Sequence, residues 1–430
     1  MKNKKKKIKA ELFDKMQFCF KKYYDRMIHS YFIYEGTVYI DQIKSILLSF
    51  YKQVDIFHSS YYNGLIKSYW KVRYDYSIDD ILTIKDSNNI YDDSIKYLTS
   101  TKINSSDKVQ IKLNVFIDTN KNLFSLCFLV NHMVIDGGDL KYLISSFIQA
   151  YNQNKEVILK NKSRAFENIY KDMNEEKRKV ALNLYKNKSS STTKYKFNFT
   201  EKSKEDKPNI AILNFTSDES RKIIDYSKNN NYSITDIFLA AYGYTSLSFL
   251  KSKKDFKYPF IIQSMVDLRR YIKNKDDLAL ANFTGKMDLS FNPKVKNIKE
   301  ILKEINNCSK KQKEDALIGL SSLPLLKLDY ILFINRLGNL MLSSFFDFSN
   351  FALSNIGILD KDRLQIKNAS ILQAHISGAC RKKGKVMLSI TSLNNTFTLS
   401  IPFIGNDSDK ELIILFLNKI KENILMLIKE

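Results

Sequence analysis

The sequence predicts a mixed α/β (α+β) chain of two domains on three observations: its 430-residue length, strand-type alternation in both halves, and helical spacing between the strands. A single hydrophobic core stops growing at roughly 250–300 residues, so this length implies two domains of about 200 residues each. Hydrophobic residues make up 44% and aromatics 13%, with 12 Gly and 5 Pro. That composition excludes disordered, collagen-like and low-complexity chains.

In the first half, Val109, Ile111, Leu113, Val115 and Ile117 alternate with other residues at the period of a half-buried strand. Asp118 to Asn122 supplies turn residues, and Leu123 to Val130 is almost continuously apolar, as a central strand buried on both faces requires. The chain then enters Asn131-His132-Met133-Val134-Ile135-Asp136-Gly137-Gly138. Leu140, Leu143, Ile144 and Phe147 follow at helical spacing, which places this segment on a strand-to-helix turn.

The sequence becomes polar over 152–207, with a charged helix expected at 174–187 and a Ser/Thr run at 189–193. The division expected is a domain over 1–165, a crossover linker over 166–207 and a domain over 208–430. In the second domain the pattern predicts strands at 210–215 and 259–266, helices from Ser217 and Ser233, a helix over 295–315 and an apolar helix over 325–346. Ser233 and Asp236 have capping-box spacing. Val386, Leu388 and Ile390 face Phe397, Leu399 and Ile401 across Asn394-Asn395, a hairpin signal. A last helix over 409–429 is expected to start from Ser408, with Glu411 completing its capping box.

The net charge is +23, but only 10 of the 69 basic residues are Arg. Specific recognition of phosphates and base edges favours the guanidinium fork, so no nucleic-acid partner is expected. Cys19, Cys127, Cys308 and Cys380 form no CxxC pair and have no close His, which suggests neither a zinc site nor a disulfide framework. Reduced thiols and a cytoplasmic location are the expectation. Lys9, Glu11, Asp14 and Lys15 interrupt the stretch after the basic run Lys2 to Lys7, so no secretion signal is expected. The apolar stretches at 330–351 and 411–427 carry charges and fall short of a membrane span.

Only four histidines are present, His29, His58, His132 and His375. An imidazole can take a proton from an attacking hydroxyl or amine and return it to the leaving group. His132-x-x-x-Asp136-Gly137 has a chance expectation of about 0.01 matches in a chain of this composition. The glycines after Asp136 are expected to let the backbone fold the strand end back and expose one imidazole nitrogen. Asp136 can orient that imidazole, as in a hydrolase triad, or turn away from it. His58 and His375 read as core or surface histidines. Neither a Gly-rich phosphate cradle nor a Ser-centred nucleophile elbow occurs, which favours direct transfer over an acyl-enzyme.

His132-Met133-Val134-Ile135-Asp136-Gly137 after a buried strand resembles the active-site motif of the chloramphenicol acetyltransferase-like superfamily, which includes condensation domains and alcohol acetyltransferases. Val266-Asp267-Leu268-Arg269, Asn282-Phe283-Thr284-Gly285 and Leu353-Ser354-Asn355-Ile356-Gly357 resemble later segments of those families, in the same order, so the likeness spans nearly the whole chain. Condensation domains usually carry two adjacent histidines, where this chain has Asn131 first, and the aromatic-glycine signature of the plant branch is absent.

The resemblance implies two chloramphenicol acetyltransferase-like domains forming a pseudo-dimer around a central tunnel. It implies an acyltransferase with His132 as general base, acting on a thioester donor, either acyl-CoA or a carrier protein's phosphopantetheine arm, and a small hydroxyl or amine acceptor. Asp136 and Gly137 would support the site, with Asp136 in an ion pair with Arg269 as a rigid bidentate partner. Ser354 and Asn355 would face the oxyanion or the substrate. No bound cofactor and no metal are expected, and the chain is expected to be a monomer. The alternative is a catalytically silent relative that binds a carrier protein or partner enzyme, for which Asn131 is the clue.

Overall fold

The computed structural model describes residues 6–183, 194–252, 256–295, 297–320 and 349–429. The Ser/Thr run at 189–193 and the apolar helix expected at 325–346 lie outside these residues. The first half supplies strands β1 (Lys7–Lys9), β2 (Met27–Gly36), β3 (Ser59–Asn63), β4 (Ser68–Val72), β5 (Leu82–Asp86), β6 (Ile111–Asp118) and β7 (Leu123–Asn131). The second supplies β8 (Lys207–Asn214), β9 (Phe260–Asp267), β10 (Thr284–Phe291), β11 (Phe351–Leu359), β12 (Ala369–Ser377), β13 (Val386–Leu393) and β14 (Thr396–Gly405).

The first large sheet has the order β12-β2-β7-β6-β5. Its β6–β7 hairpin is antiparallel, pairing Ile111 with Val130 and Asp118 with Leu123, and Asn122 adopts a left-handed φ of 52° in the turn. The alternation of β6 predicts one solvated face, yet Asn114, Phe116 and Asp118 are buried as well. The helix Ile90–Ser100 accounts for this, because it packs Ile90 and Leu98 with Phe116, Cys127 and Leu129 on the far side of the sheet. The helices Ile40–Gln53 and Gly137–Gln153 cover the other side, where Phe50, Phe128 and Phe147 make edge-on contacts. Full burial of each such ring stabilises the fold by roughly 1.5–3 kcal/mol.

The second large sheet has the order β10-β9-β11-β13-β14-β8, covered by the helices Ile234–Ser248, Ile298–Glu314 and Asp407–Leu427. The β13–β14 hairpin turns through Asn394 and Asn395, both at positive φ, and pairs Leu393 with Thr396. Between β11 and β13 the chain crosses to the first sheet, where β12 pairs antiparallel with β2, Ser377 opposite His29 and Ala369 opposite Gly36. Residues far from the first half in sequence thereby cover an edge that would otherwise leave the apolar β2 with unpaired backbone groups.

Two helix starts differ from the sequence expectation. The last helix is capped by Asn406 with Asp409 as its capping-box partner, two residues before Ser408. Asp409 is buried and also accepts the Thr200 N–H and pairs with Lys383 at 2.9 Å, interactions that fix it in the first turn. Ser233 Oγ does accept the Asp236 N–H, at 3.1 Å, but no reciprocal bond from Asp236 occurs among the described residues. Its carboxylate lies 3.9 Å from Lys313 instead. No described helix is long and apolar enough to cross a membrane.

Candidate active site

Strand β7 ends at Asn131, whose side chain is fully buried. Its amide donates to Gln110 Oε1 at 2.7 Å and its Oδ1 accepts the Met133 N–H at 3.1 Å, which bends the chain out of the sheet. Asn131 thus fastens the turn and does not line the cavity beside it. Arg164 holds the same turn from outside: it donates to the Val134 carbonyl at 2.6 Å and pairs with buried Asp14 at 2.8 Å.

His132 is half-buried at the cavity wall, with its N–H on the Arg26 carbonyl at 2.8 Å. Its Nδ1 lies 3.1 Å from the Ile135 carbonyl and 3.0 Å from the Asn282 amide nitrogen. Asn282 is itself fixed, donating to the His132 carbonyl at 3.0 Å and accepting the Thr284 N–H at 3.1 Å. With Nδ1–H on the Ile135 carbonyl, the lone pair resides on Nε2, which has no hydrogen-bond partner among the described residues. Burial holds the imidazole below its ordinary value of 6.5 against the opposing charge of Asp136, so the ring is neutral at pH 7.

Among the described residues Asp136 has no hydrogen bond to that ring. Its Oδ1 accepts the Asp139 N–H and so caps the helix Gly137–Gln153. Its Oδ2 accepts from Arg269 Nη1 and from the Phe283 N–H, both at 2.8 Å. Burial alone would raise the Asp136 carboxyl, but Arg269 and these N–H groups outweigh it and hold the group below the usual range. The Arg269 fork is not bidentate on Asp136 as expected. Nη1 meets Asp136, Nη2 meets Asp139 at 2.8 Å, and the Ala281 carbonyl accepts from Nη2 as well. One guanidinium between two buried carboxylates leaves Asp139 the less ionised, its pKa pushed up by burial to about 6.

The glycines of the motif serve a different purpose from the one their type suggests. Neither Gly137 nor Gly138 has a positive φ. A Cβ on Gly138 would stand 3.3 Å from Asp136 Oδ1 and 3.5 Å from Arg269 Nη1, and one on Gly137 would stand 3.3 Å from Ile356. What the site needs is close approach of the helix start to the ion pair and to β11, rather than a left-handed turn.

His132, Asp136, Gly137, Arg269, Ser354 and Asn355 all line one cavity of about 260 Å³ between the two halves. Asn355 is exposed and its side chain is committed, the amide donating to Thr235 Oγ1 and the carbonyl accepting the Gly357 N–H, both at 2.8 Å. The Ser354 hydroxyl has no such bond among the described residues. His375 and His58 do not line this cavity. His375 is fully buried, stacked on Tyr31 and bonded to Ser377, and burial pushes it down to about 3. His58 bonds the Arg73 carbonyl and packs on Tyr76.

Sequence reasoning assigned no role to Asn282, Asp139, Arg164 or Lys141. Lys141 lines the cavity one helical turn beyond Gly137, donates to the Ile356 carbonyl at 2.7 Å, and has its ammonium lowered by burial. Asn282 lay in a segment already singled out, and an amide two residues before a strand start was the available signal. Asp139 and Lys141 read as ordinary first-turn residues of a helix, and Arg164 as one charge among many.

No family model matches the chain, and no curated protein sequence matches it. Solved structures do. A trichothecene 15-O-acetyltransferase from Fusarium sporotrichioides is similar with a TM-score of 0.71 at 13% identity, covering 97% of this chain and 94% of that one. The condensation domain of the Monacolin K polyketide synthase gives 0.68 at 12% identity, over 99% and 98%. The polyketide synthase associated protein 5 from Mycobacterium tuberculosis gives 0.67 at 10%, over 98% of each chain. The chain therefore has the two-domain chloramphenicol acetyltransferase-like fold common to acetyltransferases and condensation domains.

Proposed function

We propose that this protein is an acyltransferase in which His132 is the general base, moving an acyl group from a thioester to a hydroxyl or amine. The observation that carries the reading is the His132 imidazole at the wall of a cavity lined from both halves, with its Nδ1 engaged by the Ile135 carbonyl. The donor is a cytoplasmic acyl-CoA or a carrier protein's phosphopantetheine thioester, and the acceptor is a small molecule. His132 Nε2 takes the acceptor proton as its oxygen or nitrogen bonds to the thioester carbonyl carbon. The carbonyl oxygen becomes an oxyanion, for which Ser354 Oγ is a candidate side-chain donor. As the tetrahedral intermediate collapses the carbon–sulfur bond breaks, and the thiolate leaves with the proton returned by the imidazolium.

Asp136 and Arg269 take no part in proton transfer in this scheme; they join the start of the helix Gly137–Gln153 to the second half. The silent-relative reading rested on Asn131, and the bonds of that side chain to Gln110 and Met133 give it a structural use that leaves His132 in place. The test is release of free thiol from a panel of acyl-CoA donors with mixed alcohol and amine acceptors. Wild type is expected to release thiol only when acceptor is present, and His132→Ala to lose about 10²–10⁴-fold while keeping its denaturation midpoint. Near wild-type transfer by His132→Ala would reject the mechanism.

A further inference from the structure

Away from His132, three side chains from distant parts of the chain converge behind the cavity wall. Cys380 sits between Ala379 and Arg381, which line the cavity, but is itself fully buried, its Sγ 3.7 Å from the Asn209 carbonyl of β8. His29 comes from β2 and Asp25 from the segment just before it. His29 Nε2 lies 3.6 Å from Asp25 Oδ2 and 4.0 Å from Cys380 Sγ, and the three atoms lie within 4.8 Å of one another.

The His29–Asp25 separation is long for direct bonding, since N–O hydrogen bonds run about 2.7–3.2 Å. Both His29 separations are close to what a shared cation imposes. Tetrahedral bonds of about 2.0–2.2 Å to N and O and 2.3 Å to S place N and O roughly 3.4 Å apart, and N and S roughly 3.6 Å apart. The two pairs made by His29 need a contraction of a few tenths of an ångström to meet that geometry, and Asp25 Oδ2 and Cys380 Sγ, within 4.8 Å of each other, close with them.

The surrounding bonds aim two of the three atoms, those of His29 and Asp25. His29 Nδ1 lies 2.9 Å from the Gly378 carbonyl, the outer bond that fixes the tautomer of a ligating histidine and turns its Nε2 lone pair inward. Asp25 Oδ1 accepts the Met27 and Cys380 N–H groups, each at 3.0 Å, which leaves Oδ2 for the centre. The His29 side chain is 1% exposed and that of Asp25 14%, so the centre is buried with one carboxylate reaching the surface as a route in. A thiolate and a carboxylate with a neutral imidazole cancel the charge of a dication, so the occupied centre buries no net charge.

We propose that Asp25 Oδ2, His29 Nε2 and Cys380 Sγ form a binding site for a zinc-type divalent cation. Mixed S, N and O ligands suit a borderline-soft ion of this kind. Binding removes the thiol proton to solvent and forms the metal–sulfur bond. Three protein ligands leave the fourth position of a tetrahedral centre to a water molecule, and the ion joins β2 of the first sheet to the chain as it passes from β12 to the second sheet. It is independent of the acyl-transfer reading.

The experiment is titration of chelator-treated, reduced full-length protein with Co²⁺. One equivalent is expected to bind with a thiolate-to-cobalt charge-transfer band in the near ultraviolet, and Zn²⁺ is expected to displace it and raise the melting temperature. Cys380→Ser, which retains Cys19, Cys127 and Cys308, should lose the band, and His29→Gln should weaken Co²⁺ binding at least tenfold, with folding checked by circular dichroism. Absence of a one-equivalent band in wild type, or a band that survives in Cys380→Ser, would overturn the proposal in favour of an ordinary ion pair between His29 and Asp25. If Cys380→Ser does not fold, the wild-type titration and His29→Gln decide the matter.

Discussion

Replacing Asp136 by Asn tests the ion pair that joins the two halves at the site. The variant keeps Oδ1, and with it the helix cap on the Asp139 N–H. It places an amide NH₂ where Oδ2 now accepts from Arg269 Nη1 and the Phe283 N–H, so donor faces donor on two bonds of 2.8 Å. Breaking one partner of a buried pair costs about 3–5 kcal/mol. Arg269 retains Asp139 at 2.8 Å, which puts the expected loss at the lower end, about 3 kcal/mol. Arg269→Met strands two buried carboxylates. Asp139, already pushed up to about 6, takes a proton most readily, and Asp136 is left as the uncompensated charge, for an expected loss of about 4 kcal/mol. The double variant removes both charges, so its loss should fall short of the summed singles by about 2 kcal/mol. Denaturant midpoints and slopes for the four proteins at pH 7 supply the cycle. Additivity within about 0.5 kcal/mol would refute the claim that Asp136 and Arg269 are energetically coupled.

Three further outcomes follow from the site. Because burial lowers the His132 imidazole below 6.5, the acid limb of kcat/KM against pH should have its midpoint below 6.5: the base is lost only when the folded-state group protonates. An acid limb above 6.5 would exclude His132 as that base. Asn282→Ala releases the His132 carbonyl, and transfer should fall by roughly tenfold or more through kcat while KM for the donor changes little; an unchanged kcat would show that Asn282 does not position the turn that carries His132. If part of the +23 charge steers a nucleotide-bearing donor, raising ionic strength from about 20 to 300 mM should lower kcat/KM for acyl-CoA and leave an uncharged N-acetylcysteamine thioester unaffected. Equal salt dependence for both donors would assign the lysine surplus to composition.

The parts of this protein that its sequence determined are those with a local period or a short chain path. Period-2 alternation marked β6, β13 and β14, and the continuous apolar run marked β7, because burial on one face or two writes itself into neighbouring residues. His132 and Asp136 were legible together since a strand running into a helix through a capping aspartate is one continuous piece of chain. Tertiary structure decided the rest. The helix Ile90–Ser100 buried the second face of β6, β12 joined a sheet begun more than 300 residues earlier, and Asn282 reached His132 across 150 residues. Arg269 was shared among three carboxylates, Asp136, Asp139 and Asp267, and Gly138 was needed for closeness instead of backbone freedom. Asp25 and His29 stand four residues apart, but Cys380 joins them only because β12 pairs with β2. Contacts at such separations leave no periodic trace in a single sequence: each residue needs only to suit its own neighbours, and which distant residue becomes a neighbour is fixed when the sheets assemble.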